Sequence, residues 1–282
     1  SRAVVTAAVP TGPRSVVTTL DPALSDRLLQ VLTEARERLD LPGLQVAVVE
    51  GGELVWTGAA GWADPPGKRT ATVADRYHIG SVSKLYTAAV ILRLAEQGRL
   101  SLDDPVSRYV PGVPNGDRIT VRQLLNHTSG LANYTESLAF NLPTVALRRV
   151  WRTDEVLDVI RRQPPRAEPG AEHYYSNSNY VLLGRVAEMA AGRPFADVLD
   201  EEVLRPLGLT DTFLAAGEER SPGTVRGYDV TLLGTGRLGI KLDTEPFRAP
   251  LETSAFAAGA VTATAADVAR FTYGLFSDGL LG

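Results

Sequence analysis

Tyr77-His-Ile-Gly-Ser-Val-Ser-Lys-Leu-Tyr-Thr-Ala-Ala-Val-Ile-Leu-Arg-Leu-Ala-Glu-Gln-Gly98 is the stretch around which the rest of the chain is arranged. Gly80 reads as a turn and Ser81 as the first residue of a helix that runs to about Gln97, where Gly98 supplies a stop. The helix is apolar nearly all round: Val82, Leu85, Ala88, Ala89, Val90, Ile91, Leu92, Leu94 and Ala95 leave little polar face. A helix of that kind belongs in the core of a large domain. Its first turn nevertheless carries Ser81 and, three residues on, Lys84, a spacing that puts both side chains on one face.

Lysine at that position needs a reason. Of 29 Lys plus Arg, only Lys68, Lys84 and Lys241 are lysines, so a plain positive charge in this chain is normally an arginine. Arginine stays protonated in a protein, whereas a desolvated lysine can become a neutral amine. Lys84 is therefore read as the base that takes the proton of Ser81, whose oxygen then attacks a carbonyl. The free N–H groups at the helix start favour the negative charge that develops there. The competing reading makes Ser81 an N-cap and Lys84 a side chain reaching out to solvent. This is the only Ser-x-x-Lys in the chain, and it opens an apolar helix directly after a glycine.

With 282 residues, 44% hydrophobic and 22% charged, the chain can bury a substantial core in one large or two ordinary domains. A net charge of -4 with acids and arginines interspersed gives no basic stripe, so a nucleic-acid partner is not expected. The absence of cysteine excludes disulfides, thiolate metal sites and thiol nucleophiles. His78, His127 and His173 are too scattered to suggest a metal site, and neither metal nor cofactor is expected. No apolar run reaches the length of a membrane span. Residues 1–20 read as a flexible leader; a chain starting at Ser1 is a processed or engineered product, and removal of a signal peptide with a secreted or extracytoplasmic location is the expectation.

Helical periodicity marks Leu24–Leu39, with Asp21 or Ser25 as start signals. Leu44–Glu50 and Glu53–Gly61 read as two strands joined at Gly51-Gly52. Short helices follow, among them one from Thr120, Thr153–Arg162, Asn179–Ala191 closed by Gly192, and Phe195–Val203. Residues 217–250 read as a long surface excursion, and Ala265–Phe276 as a last helix. A lone hairpin is marginal in water, so the sheet looks unfinished. Tyr174-Tyr-Ser-Asn-Ser-Asn-Tyr180 is the second informative stretch, with Tyr175 and Asn177 expected on a loop that could face the Ser81–Lys84 pair. Tyr175 would relay a proton toward a leaving group and Asn177 would donate to Lys84 or to substrate; taken by itself the stretch reads first as a polar turn with tyrosine packing.

Gly80-Ser-Val-Ser-Lys84 followed by Tyr175-Ser-Asn177 resembles the serine β-lactamase and penicillin-binding-protein superfamily, in which S-x-x-K is an active-site motif. The tyrosine is similar to class C β-lactamases and Streptomyces-type D-alanyl-D-alanine carboxypeptidases. Leu124-Leu-Asn-His-Thr-Ser-Gly130, Pro206-Leu-Gly-Leu-Thr-Asp-Thr-Phe213 and the run from Ala258 to Phe271 extend the likeness over about residues 24–282. The resemblance implies an α/β (α+β) fold of the β-lactamase/transpeptidase type: an antiparallel sheet flanked by helices, from 21–80 and 257–282, and a mostly helical domain from 81–256. It implies Ser81 as the acylated nucleophile, Lys84 as base and Tyr175 as second acid/base. Asn177 would orient Lys84 and the substrate amide, and the Ser81 backbone N–H would supply half of an oxyanion hole.

One departure stands out. The family's third motif, Lys- or His-Thr-Gly on a strand after the helix matching 265–276, has no counterpart; Gly234-Thr-Gly236 lacks the preceding cation and lies upstream. The expectation is that the C-terminal strands are missing from this chain and that a C-terminal fragment or second chain completes the fold. The activity implied is that of a serine hydrolase, first a D-alanyl-D-alanine carboxypeptidase or related D-amino-acid peptidase, acting on a small peptide, ester or β-lactam. An esterase or class C-like β-lactamase is the nearest alternative, and a non-catalytic scaffold or binding protein the alternative from another class.

Overall fold

The Gly51-Gly52 turn is where the sheet starts. Both glycines have positive φ, 58° and 90°, as a two-residue type I′ hairpin requires. In the computed structural model, which describes residues 14–215, 223–229, 242–277 and 279–282, this turn joins two antiparallel strands paired from Glu50↔Glu53 to Gly43↔Gly61, with a one-residue register shift between Val48 and Val49. In chain order the elements around it are β1 (Arg14–Thr18), α1 (Pro22–Arg38), β2 (Gly43–Glu50), β3 (Glu53–Asp64), β4 (Arg69–Thr70) and β5 (Tyr77–His78). Asp21 caps α1 by accepting from the N–H groups of Ala23 and Leu24, which decides between the two start signals. Ser25 serves the core instead, accepting from the Trp56 indole at 3.1 Å.

The sheet order is β1-β3-β2, with β4 added to the end of β3. Residues 14–18 thus correct the expected leader: Arg-Ser-Val-Val-Thr pairs antiparallel with β3 from Arg14↔Ala60 to Thr18↔Trp56. Its paired β-branched residues suit an extended edge, and Val16 packs with Leu28, Leu32 and Trp56 between the sheet and α1. The hairpin is therefore not alone, although the other edge of β2 pairs with nothing among the described residues.

Then come α2 (Ser83–Glu96), α3 (Val121–Leu125), α4 (Leu138–Asn141), α5 (Thr153–Arg162), α6 (Asn177–Ala191), α7 (Phe195–Leu199), β6 (Phe213–Leu214), β7 (Tyr228–Asp229), β8 (Leu242–Asp243), α8 (Arg248–Ala255), β9 (Val261–Ala263) and α9 (Ala265–Phe276). β9 lies between β5 and β6 in a short second sheet. Residues 1–13, most of the expected excursion and Gly234-Thr-Gly236 fall outside the described residues. The described part of that excursion is not all surface: Val225 packs with Ala59, Ala63 and Ala71, and the Arg226 N–H donates to the Ala63 carbonyl at 2.8 Å.

The main core runs through α2, α5, α6 and α7, with Val90, Ile91, Leu94, Leu157, Leu182, Leu183 and Val198 fully enclosed. Tyr86 of α2 stacks on Phe271 of α9 with ring centroids 3.6 Å apart, tying the end of the chain to the central helix. No described helix is long and apolar enough to cross a membrane. Close approach within the core also fixes Gly184 in α6, where a Cβ would sit 2.5 Å from that of Ala257 and 2.6 Å from the Phe256 ring. Gly184→Val is expected to force α6 away from residues 256–258 and to lower unfolding stability by about 1–3 kcal/mol, read from denaturant melts.

Candidate active site

Ser81 sits in a single 3-10 turn, Gly80–Val82, and α2 proper begins at Ser83. The helix therefore starts two residues later than its sequence suggests. Gly80, with φ 52°, takes the left-handed conformation at the entry to this turn. Ser81 does not cap the helix. Its Oγ lies 2.7 Å from the Tyr175 phenol oxygen and 3.1 Å from Lys84 Nζ.

Lys84 does not reach solvent; it is only 6% exposed. Its three N–H donors are all directed at oxygen: Ser81 Oγ, Asn177 Oδ1 at 2.8 Å and the Ala258 carbonyl at 2.7 Å. No carboxylate pairs with it among the described residues. Burial pushes the Lys84 pKa below its ordinary value, the contact with Tyr175 opposing this more weakly. The amine also lies 4.9 Å from the centre of the Tyr175 ring and 5.6 Å from that of Tyr180.

Small residues make this possible. The segment Ala257–Val261 runs along the start of α2, where the Ala257 carbonyl accepts from Thr87 Oγ1 at 2.7 Å and the Val261 N–H donates to Ser83 Oγ at 3.1 Å. The Val261 carbonyl in turn accepts the Ile79 N–H. With side chains no larger than methyl at positions 257–260, backbone carbonyls reach the lysine directly.

Tyr175 lies on the loop before α6, as its sequence suggests, but Asn177 is the first residue of the helix itself. The Asn177 amide is held at both ends, Oδ1 by Lys84 and Nδ2 by donation to Thr135 Oγ1 at 3.2 Å, and its N–H goes to Asn133 Oδ1. Ser178 Oγ donates to the Ala132 carbonyl at 2.6 Å and accepts the Tyr134 N–H at 3.0 Å. The 132–135 turn and the start of α6 are thereby locked together.

The structure brings Ser81, Lys84, Tyr175 and Asn177 into one cluster. Ser81 and Asn177 line a cleft of about 500 Å³ with apolar walls from Tyr134, Phe140, Val145 and Leu251. A larger cavity of about 730 Å³ lies elsewhere, between β2 and α9; the Ser81 cluster borders the smaller one. On the cleft wall Glu252 takes a bidentate contact from Arg248 and lies 3.2 Å from His78 Nε2. No group of three or more His, Asp or Glu able to hold a metal occurs among the described residues.

Sequence reasoning missed the Ala258 carbonyl, Thr135 and His127. A main-chain acceptor leaves no mark in residue type; His127 was visible in Leu124–Gly130, but only as part of a structural phrase. It is 9% exposed and its φ of 60° places a non-glycine residue in the left-handed region, which costs about 1–2 kcal/mol. Burial above all, then the Lys84 and His173 charges, lowers its pKa from 6.5 to about 4.

The beta-lactamase family profile matches residues 28–282. The chain is 32% identical over 193 residues to a beta-lactamase of Pseudomonas fluorescens, covering 68% of this chain and 51% of that protein. It is 30% identical over 181 residues to a putative penicillin-binding protein, PbpX, of Bacillus subtilis, covering 64% and 44%. It thus spans about half the length of these curated relatives. The crystal structure of D-amino acid amidase from Ochrobactrum anthropi SV3 complexed with L-phenylalanine amide superposes with a TM-score of 0.78 at 29% identity, covering 92% of this chain and 72% of that one.

A histidine whose pKa is lowered on folding adds stability that is complete above its unfolded pKa and is lost as the pH falls through its folded one. His127 therefore stabilises the fold above about 6.5 and ceases to do so toward about 4. Between those two values, the melting temperature of the native protein is expected to fall more steeply than that of His127→Asn, measured by scanning calorimetry at matched ionic strength.

Proposed function

The chain belongs to the beta-lactamase family, and from that premise we propose that it is a serine hydrolase working through an acyl-enzyme on Ser81. The observation that carries this reading is the position of Ser81 Oγ, within hydrogen-bond reach of both Lys84 Nζ and the Tyr175 phenol. A nucleophile, a base and a second proton carrier at these distances meet the geometric requirement of acyl transfer. Lys84 in its neutral form takes the Ser81 proton as the Oγ–carbon bond forms. The carbon–nitrogen or carbon–oxygen bond then breaks, and the leaving group takes a proton from Tyr175. The proton on Lys84 replaces the one Tyr175 gave, and water releases the acyl group from Ser81.

Asn177 holds Lys84 toward the serine and, on the cleft wall, meets the substrate amide. The Ser81 N–H provides half of an oxyanion hole. The other half comes from strands that add to β2, supplied by a C-terminal fragment or a second chain. Supporting this are the β2 edge, which is unpaired among the described residues, and the apolar walls of the adjoining cavity, where Leu44, Val46, Ala269 and Phe276 offer surface for an added strand to cover. The substrate class is a peptide or amide bond beside a D-amino acid, as in a D-alanyl-D-alanine carboxypeptidase or related D-amino-acid peptidase; likeness to a D-amino acid amidase supports it. Simple esters and β-lactams test the neighbouring activities, and a non-catalytic scaffold takes up none of them.

Denaturing mass spectrometry after exposure to a penicillin is expected to show a drug-sized adduct on the Ser81 peptide, absent in Ser81→Ala. Unlabelled native protein, or an equally labelled Ser81→Ala, overturns the mechanism. Lys84→Arg keeps the charge but cannot act as a base, and acylation is expected to drop by about 10²–10⁴-fold. In the native protein acylation is expected to rise with pH as Lys84 loses its proton, with an inflection below lysine's ordinary 10.5.

A further inference from the structure

His127 is a buried titratable group beside the cluster to which the proposed reaction gives no part. Two donors converge on its Nδ1: the Ser176 N–H at 3.2 Å and the Asn179 amide nitrogen at 3.0 Å. The orientation of that amide is set from the other side, since Ser129 Oγ donates to Asn179 Oδ1 at 2.6 Å. Nδ1 must therefore carry the lone pair, and the ring proton is on Nε2. The His127 carbonyl accepts the Tyr174 N–H at 2.9 Å. The peptide N–H groups of the residues on either side of Tyr175 are thus both bound by a single residue. The imidazole also backs the phenol, with ring centroids 4.7 Å apart and planes tilted by 36°.

We infer that His127 is a positioning residue for Tyr175, its Nδ1 a permanent acceptor that fixes the turn carrying the phenol to the Ser81 oxygen. This rests on the acyl-enzyme reading above. Tyr175 is 42% exposed, so burial alone does not fix its place on the loop, and the hydrogen bonds from the N–H groups on either side of it hold the backbone that carries it. A proton on Nδ1 would replace an acceptor by a donor facing two donors. The charged and titratable groups that face the ring are Lys84, His173, Tyr175 and Tyr180, and none is an acid that would favour the imidazolium. The left-handed backbone at His127 is the same feature seen from the chain: it turns α3 off so that carbonyl and imidazole both face the 174–176 loop.

Two substitutions separate the acceptor from the ring. His127→Phe keeps an aromatic ring but leaves the Ser176 N–H and the Asn179 amide without an acceptor. His127→Asn loses the ring, tolerates the left-handed conformation and puts an amide oxygen where Nδ1 was. With p-nitrophenyl acetate as probe, His127→Phe is expected to lower the acylation rate constant about 10²-fold with KM changed by less than about threefold, since a small displacement of a reacting group acts on the chemical step. His127→Asn is expected to recover to within about tenfold of native, although both variants melt below it. A folded His127→Phe that acylates at the native rate, or a His127→Asn as slow as His127→Phe, overturns the inference. If His127→Phe does not fold, ¹⁵N NMR of the native protein decides: the His127 resonances, assigned by their loss in His127→Asn, are expected to show the Nε2–H tautomer from pH 5 to 8. An Nδ1–H tautomer or a cationic ring in that range overturns it. A native protein that takes up neither ester nor penicillin instead sinks the acyl-enzyme reading, and the tautomer then reports whether His127 holds the loop at all.

Discussion

Everything around the cleft depends on a buried amine that has no counter-ion among the described residues. Lys84 is enclosed at the start of α2, and its partners are three neutral oxygens from three parts of the chain: Ser81 beside it, Asn177 at the start of α6 and the Ala258 carbonyl before β9. Neutral acceptors satisfy the donors of either form of the group, whereas a carboxylate would fix the ammonium. The site thus holds the amine in place without committing it to the charged state. An arginine in the same place would stay charged, so the proposed base role calls for a lysine here.

That arrangement constrains the packing well beyond the site. For a main-chain carbonyl to reach Lys84, residues 257–260 must lie flat against α2, and on the other side α6 must come close enough that only glycine fits at position 184. The Tyr86–Phe271 stack then fixes α9 to the same helix. A second layer does for Tyr175 what this one does for Lys84. The 132–135 turn, the start of α6 and the residues after α3 exchange side-chain and main-chain hydrogen bonds, so the Tyr175 loop is held by polar contacts rather than by burial. Satisfied buried polar networks of this sort specify a single geometry.

The sheet is built to a different rule. β3 is covered on both edges, by β1 and β2, and its small residues Gly58, Ala60 and Gly61 let the Trp56 ring and α1 approach. β2 has no partner on its outer edge among the described residues, and an apolar cavity lies beside it. An edge of this kind is a template for a further strand, which is the position from which a second oxyanion-hole donor would come in the proposed mechanism.

Local pattern alone made much of this chain legible. The Gly51-Gly52 hairpin, the helices at 153–162 and 265–276 and the glycine stop at 192 follow from periodicity and turn chemistry, interactions between residues a few positions apart. The identities of Ser81, Lys84, Tyr175 and Asn177 were also set by the sequence, because scarcity of lysine and an amide beside a phenol are visible in residue type. Strand β1 was missed because five ordinary residues become a strand only when β3 offers its edge. The start of α2 was misplaced because hydrogen bonds to residues 257–261 shape its first turn. Only the tertiary structure decided that Lys84 is buried, that Ala258 offers it a carbonyl and that His127 holds the Tyr175 loop. Each of those facts joins segments more than 40 residues apart, and no local pattern encodes which distant backbone oxygen or ring nitrogen will come within 3 Å.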